Sequence, residues 1–295
     1  MTIDCHFHYD PRIISLSELI QKMSQSKIDK VALMPSMIDP FPEPPSILIN
    51  ILQFMLKQKM FRPLAHHLCA NISKKGDIRI LFKNYAIYPK PDNSQVFNII
   101  DQYPNKFLGW IFINPASDQN VESEIFKWID HPNCVGIKAH PFWHRYAPVE
   151  LISAAKIAEK KGKPMLIHCG FNAHGNYLSL IQAVPDLKLI LAHAAFPGYY
   201  DDWQVIQSYP NVYVDLSQTS YINKQTIQDV VNMLGWQRCL FGTDGPYGSR
   251  DNDGLFSFDI IKSHIESLFP DLDCQQGILG ENFMNLLKIF GQNQA

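Results

Sequence analysis

Four short apolar runs in this chain end in residues that can hold a metal ion or move a proton. The first, Ile3 to His8, contains the pair His6 and His8. Pro164-Met-Leu-Ile-His168, Leu189-Ile-Leu-Ala-His193 and Cys239-Leu-Phe-Gly-Thr-Asp244 repeat the pattern. A strand places alternate side chains on one face, so His6 and His8 project together, about 7 Å apart at Cα. By the same alternation, Cys5 and Phe7 lie on the opposite face. A single HxH is unremarkable, but ligand-type residues at successive strand ends constrain the fold. In a (β/α)8 barrel the C-terminal ends of the strands converge on one site.

The rest of the chain alternates strand-like and helix-like patterns. Strands are expected at Ile3–His8, Lys30–Met34, Phe107–Ile113, Val135–His140, Pro164–His168, Lys188–His193, Val212–Leu216 and Arg238–Thr243. Helices are expected near Ser15–Ser26, Asn120–Asp130, Val149–Lys161, Tyr177–Ala183, Lys224–Leu234 and Phe256–Leu268, with an extra C-terminal helix at Gly280–Phe290. Eight βα units predict a (β/α)8 barrel, an α/β TIM barrel that needs about 250 residues. The chain has 295, read as one domain. The surplus falls in a helical insertion after the second strand, residues 39–92, opened by Pro40, Pro42, Pro44 and Pro45. Two helices, Ser46–Lys59 and Arg62–Lys75, and an extended run at Ile78–Tyr88 are expected in it. It leaves from the C-terminal end of a strand, so it should act as a lid, a pocket wall or a subunit contact. Its first helix carries Ile47, Leu48, Ile49, Ile51, Leu52, Phe54, Met55 and Leu56. A helix apolar on most of its circumference must be buried on more than one side, against the second insertion helix or a partner chain.

Charge narrows the function. Lys and Arg number 26 against 28 Asp and Glu, net −2, with no basic block, so nucleic acid is not an expected partner. No secretory signal is apparent. The longest apolar stretch, Ile47 to Phe61, is broken by Asn50, Gln53, Lys57, Gln58 and Lys59, too short and polar for a bilayer. Six cysteines occur without a CxxC, which reads as reduced, mostly buried thiols of a cytoplasmic protein. The expected partner is a small-molecule substrate, with a homodimer as a further possibility.

Hydrolytic zinc sites commonly use three protein ligands from His and acidic residues, leaving one position for water. His6, His8 and His168 suit that role. Asp244 can bind the ion, take the proton, or both; His193 is a second-sphere acid/base or the ligand of a second metal. The cofactor expected is thus one divalent ion, zinc first, with a second as the alternative. Lys138 shares a face with Gly136 and His140. An inward lysine is costly unless paired, so it pairs with a substrate carboxylate or Asp244, or is carboxylated and bridges two metals. The next segment, Pro141-Phe-Trp-His-Arg-Tyr146, offers Trp143 and Arg145 beside His140. With Arg12 and Arg250 in other predicted loops, these are candidates for binding a planar or acidic ligand.

The ordered set DCHFH, VGIKAHP, LIHCG, LILAHAAFPG, VYVDLS, LFGTDGP and ILGENFMNLL resembles the amidohydrolase superfamily, specifically its amidohydrolase-related branch. That branch includes aminocarboxymuconate-semialdehyde decarboxylase, γ-resorcylate decarboxylase and predicted metal-dependent hydrolases. The resemblance implies a metal, normally zinc, on His6, His8, His168 and Asp244, with His193 in acid/base chemistry. It also implies that a dimer is common. Two positions depart from it. Ala194-Ala195 stand where relatives often have a glycine pair, and Gly245 follows Asp244 where they often carry a bulky aromatic. The leading expectation is a hydrolase of a C–O or C–N bond in a small carboxylated molecule, using metal-activated water. The alternative is a non-oxidative decarboxylase of an aromatic or muconate-type acid. A non-catalytic metal-binding barrel is the third reading.

Overall fold

The structure, a computed structural model, describes residues 1–288 except 43–44, 70–71, 73–75, 81–82 and 252. Its strands are β1 (Ile3–Tyr9), β2 (Lys30–Pro35), β3 (Ile78–Ile80), β4 (Lys83–Tyr85), β5 (Phe107–Ile113), β6 (Cys134–Ala139), β7 (Met165–Ile167), β8 (Leu189–Leu191), β9 (Val212–Asp215) and β10 (Cys239–Leu240). Eight form one parallel sheet in the order β1-β2-β5-β6-β7-β8-β9-β10. The ring closes through Cys5 N–H to Phe241 O at 3.0 Å, Asp244 N–H to His6 O at 2.8 Å and His8 N–H to Gly245 O at 2.6 Å. This is the expected (β/α)8 barrel. Asp4 rivets the closure: it accepts from the Thr243 hydroxyl at 2.5 Å and the Thr243 N–H at 3.1 Å.

Two apolar layers follow from strand alternation. Ala32, Met34, Trp110, Phe112, Leu166, Ile190 and Leu240 fill the interior, and Phe283 and Leu286 of the terminal helix close the floor. Val31, Leu33, Ile111, Ile137, Ile167 and Val214 face the surrounding helices. The β1 strand breaks its own period. Ile3 and Cys5 belong to the interior layer and Phe7 and Tyr9 to the outer one, because pairing with β2 shifts register between Asp4 and Phe7. A bulge of this kind sets two consecutive residues toward one side. So Cys5 does not share the side of Phe7, as strict alternation expected, and His6 and His8 still point inward.

Elsewhere the sequence patterns found elements better than their ends. The sixth barrel strand stops at Leu191, short of His193, because His193, Ala194 and Ala195 take left-handed φ of 54°, 52° and 61°. The β10 ladder ends at Leu240, short of Thr243. Helices at Asn93–Gln102 and Tyr200–Ile206 complete βα units that the periodicity left unassigned. The first follows the insertion directly, capped by Asp92, which accepts from the Ser94 N–H at 3.0 Å.

The insertion forms helices at Ser46–Lys57 and Arg62–Cys69, then the antiparallel hairpin β3–β4 in place of one extended run. The expected continuation of its second helix through 70–75 falls largely outside the described residues, as does the end of the terminal helix, 289–290. Its two stems pair through Tyr88 N–H to Met37 O at 2.7 Å and Asp39 N–H to Ala86 O at 3.0 Å. Arg12 clamps them, donating to Asp10, Asp39, the Tyr88 hydroxyl and Ile38 O. On the far side Gln53 donates to Thr219 O and Ser220 O, both at 3.1 Å. The insertion therefore reaches across the strand C-terminal ends from the β1 loop to the β9 loop. Met55 and Leu56 of its first helix are buried; Ile47, Leu48, Ile51 and Phe54 are exposed on this single chain.

Cys5, Cys134, Cys169, Cys239 and Cys274 are free and buried; the Cys69 side chain is outside the description. Among the described residues, no helix is long and apolar enough to cross a membrane.

Candidate metal centre

His6, His8 and Asp244 offer ligand atoms that all lie within 4.8 Å of one another. Asp244 Oδ1 is 3.2 Å from His6 Nε2 and 3.6 Å from His8 Nε2. The first strand brings in the two histidines; the last delivers Asp244 at its C-terminal end, where a φ of 58° turns the chain. The far nitrogens of both rings are already engaged. His6 Nδ1 lies 2.8 Å from Asp215 Oδ2, and His8 Nδ1 lies 3.2 Å from Pro35 O. A ring whose Nδ1–H is held by an oxygen keeps its Nε2 lone pair for a metal. The donor chemistry thus fits a divalent ion bound by nitrogen and carboxylate oxygen.

Burial holds His6, His8, His140 and His193 well below the ordinary imidazole range and pushes His168 down to about 3. Desolvation disfavours the charged ring, so these are neutral imidazoles, the form that ligates.

The remaining predicted residues divide clearly. His168 lines the same cavity as His8 and Asp244, with Nδ1 2.7 Å from Cys169 O. Its ring stacks on His140 at 4.1 Å and meets His193 edge-on at 4.6 Å. It is not one of the convergent three, however. His193 lies one layer back: it does not line the cavity, its Nε2 is 4.0 Å from Asp244 Oδ2, and its ring stacks on His6 at 5.2 Å. Lys138 is fully buried with Nζ 3.1 Å from His6 Nε2. Burial pushes this ammonium down while Asp215 and Asp244 oppose the shift. It caps the lone pair an ion would use, so the two exclude one another. His140 and Trp143 line the cavity; His140 Nδ1 accepts from the Trp143 N–H at 3.1 Å. Arg145 ends the short helix Pro141–His144 at a left-handed position and is exposed. The Arg250 guanidinium donates to Phe41 O at 3.5 Å. Neither arginine lines the cavity.

Several site residues escaped the sequence reading. Gln218 donates to Asp244 Oδ2 at 2.9 Å and steadies the carboxylate. Tyr247 lines the cavity, stacks on Phe41 of the insertion at 5.6 Å, and donates to Asp10 at 2.6 Å. Asp215 and Ser217 stand behind the histidines with no exposed surface. Alternation could have found these two, since Tyr213, Asp215 and Ser217 share a parity, and polar residues there point inward. The departure at Gly245 also has a cause. A Cβ there would lie 2.4 Å from the Phe7 ring and 2.6 Å from the Phe256 ring, so no larger side chain fits.

Fold and site together define a metal-site (β/α)8 barrel with its donors at the strand C-terminal ends. The chain belongs to the amidohydrolase family, whose profile matches residues 3–288; it is a metal-dependent enzyme of that superfamily. Similar solved structures include a 2,6-dihydroxybenzoate decarboxylase from Rhizobium (13% identity, TM-score 0.62, 98% of both chains). A 4-oxalomesaconate hydratase from Rhodopseudomonas palustris is also similar (16%, 0.62, 100% of both). So is a dihydroxybenzoic acid decarboxylase from a Polaromonas species, solved with manganese and 2-nitroresorcinol (13%, 0.63, 100% of this chain and 98% of that one). At such identity the likeness is one of fold. No curated protein matches the chain.

Proposed function

We propose that this enzyme removes carbon dioxide, without oxidation, from a small planar carboxylic acid of aromatic or muconate type. The observation that carries the reading is the cavity wall, where Phe41, Trp143, Tyr221 and Tyr247 stand with His8, His168 and Asp244. Flat aromatic walls suit a flat conjugated ring. No arginine or lysine lines the cavity among the described residues, so a substrate carboxylate would find its counter-charge in the ion that the candidate ligands would hold. Two of the similar structures are named as decarboxylases.

The proposed ligands are His6, His8 and Asp244, with His168 beside them, and the proposed ion is a single zinc. Support for one ion comes from the second grouping, His6, His193 and Asp215, where Asp215 already engages His6 Nδ1 and the His193 backbone N–H, and His193 Nδ1 is engaged by Ser217. When bound, the ion supplies positive charge to a substrate carboxylate or hydroxyl as the carbon–carbon bond breaks. The chain's own residues do the rest. The aromatic wall holds the ring, and Gln218 orients Asp244. The bond to the carboxyl carbon breaks, its electron pair stays on the ring carbon, and carbon dioxide leaves. The His193–Asp244 pair takes up the substrate's acid proton on binding and returns it to the ring carbon.

Hydrolysis of a C–O or C–N bond is the second reading, favoured by the family description, amidohydrolase. It uses the same residues, with the pair taking a proton from water. Zinc-loaded protein incubated with planar acids and with their esters and amides separates the two. The expected result is release of carbon dioxide from an acid, with bicarbonate carbon exchanging back into it. Cleavage of an ester or amide, with oxygen from labelled water in the product and no carbon dioxide, overturns the first reading.

A further inference from the structure

Behind the candidate ligands a second polar layer is built on one carboxylate. Asp215 Oδ2 is 2.8 Å from His6 Nδ1. Its Oδ1 accepts from the His193 N–H at 3.0 Å, the Ser217 N–H at 3.2 Å and the Ser217 hydroxyl. Ser217 Oγ in turn lies 2.8 Å from His193 Nδ1.

The proton directions follow by counting. Two backbone N–H groups are fixed donors aimed at Oδ1, so this oxygen accepts. A hydroxyl has one proton, and that of Ser217 points to Asp215. Toward His193, Ser217 can then only accept. His193 therefore carries its proton on Nδ1 and leaves Nε2 bare. His6 Nδ1 faces Asp215 Oδ2 at 2.8 Å, whereas its Nε2, 3.2 Å from Asp244 Oδ1, also faces the Lys138 ammonium at 3.1 Å, a donor only; Nδ1 is therefore the protonated nitrogen and Nε2 accepts.

We infer that Asp215, extended by Ser217, is a positioning residue that sets the tautomers of His6 and His193 together, so that one carboxylate prepares both ion binding and proton transfer. This rests on the roles given above to His6 and His193. Neither Asp215 nor Ser217 lines the cavity, so both act through the rings they hold. Without the Ser217 oxygen, the nearest Asp215 oxygen is 4.0 Å from His193 Nδ1, beyond hydrogen-bond reach. The change Asp215→Asn acts differently. With its oxygen kept toward the backbone N–H groups, the amide turns an NH2 toward His6 Nδ1. That nitrogen then loses its acceptor, and the proton is driven to Nε2, the atom needed by the ion, displacing the Lys138 Nζ that lies 3.1 Å from it.

The test is long-range nitrogen–proton NMR on full-length protein with labelled histidine, with and without zinc. His6→Ala and His193→Ala spectra assign the signals. Both rings of the metal-free wild type are expected as Nδ1–H. Ser217→Ala should disturb the His193 pattern far more than that of His6, whose Nδ1 lies 3.3 Å from Ser217 Oγ but keeps Asp215 Oδ2 at 2.8 Å, and Ser217→Thr should restore it. Asp215→Asn should move the His6 proton to Nε2 and lower zinc affinity by about 10–100-fold in chelator competition. Ser217→Ala should bind zinc as the wild type does. A wild-type His193 protonated on Nε2, or an unchanged His193 pattern in Ser217→Ala, overturns the inference. The tautomer readout needs neither substrate nor ion. If His6→Ala kept its zinc, the ligand assignment would fail while the tautomer assignment stood.

Discussion

The turn that follows β8 makes a quantitative prediction. Ala194 and Ala195 sit at φ of 52° and 61°, fully buried, where an L-residue pays about 1–2 kcal/mol for the left-handed conformation. Glycine relieves that strain, but it adds unfolded-state freedom, about 0.4–1 kcal/mol. It also loses a buried methyl, about 0.8 kcal/mol. The terms nearly cancel, so Ala194→Gly and Ala195→Gly should each fall within about 1 kcal/mol of wild type. Ala154, equally buried but inside the helix Ile152–Lys160, is the control. There glycine relieves nothing, loses the methyl and weakens a helix interior, a cost of roughly 1.5–2 kcal/mol. The assay is urea unfolding of the three variants, compared at equal slope. The turn is fixed by the Trp203 indole N–H to Ala194 O at 2.7 Å and by Tyr199 N–H to Ala195 O at 3.1 Å. Both glycine variants should therefore keep His193 aimed at Ser217. If Ala194→Gly and Ala195→Gly cost as much as Ala154→Gly, the turn stores no strain and this reasoning is wrong.

Two further outcomes are expected. His193→Ala should retain its metal yet lose roughly 10²-fold or more in turnover, whereas His6→Ala should lose the metal; metal analysis beside the rate measurement checks both, and a metal-free His193→Ala would make His193 a ligand. Asp202, half-buried and hydrogen-bonded to the Tyr177 hydroxyl at 3.2 Å, has its carboxyl pushed up to about 6 by burial. The folded state then holds a proton that the unfolded chain releases above about pH 4, so a penalty grows as pH rises from 4 to 6 and stays constant above. Asp202→Asn should remove it, gaining about 1–2 kcal/mol at pH 7 after allowance for solvent screening and nothing below pH 4. Thermal melts across that range would contradict the argument if the gain appeared in acid instead.

Strand ends carrying His6, His8, His168, His193 and Asp244 were legible because apolar runs announce barrel strands and polar residues at their ends are conspicuous. What alternation could not reveal was the β1 bulge, since an extra residue leaves the composition of the strand unchanged while turning Cys5 inward. Nor could it reveal the left-handed turn at His193, which glycines would have signalled and alanines conceal. Arg145 and Arg250 were singled out by residue type alone. Their positions depend on loop paths that no periodicity encodes, and both lie off the cavity. Asp215 and Ser217 are the reverse case: their inward parity is readable in VYVDLS, but parity alone does not say what an inward polar side chain holds. Length does not explain why the helices Asn93–Gln102 and Tyr200–Ile206 went unassigned, since Leu178–Ala183 is shorter than either and was expected.

Closure between the first and last barrel strands has a consequence for how this protein is made. His6 and His8 leave the ribosome before Asp244, which follows only after seven further strands of the barrel have been synthesised. A nascent chain therefore carries two orphaned imidazoles and no site until its ring can shut. An ion that binds only the shut form draws the chain toward it by mass action, worth about 2.7 kcal/mol at a hundredfold excess over Kd. The metal would then serve as a clasp on the finished molecule, and its capture would mark the moment at which the two ends of the barrel have met.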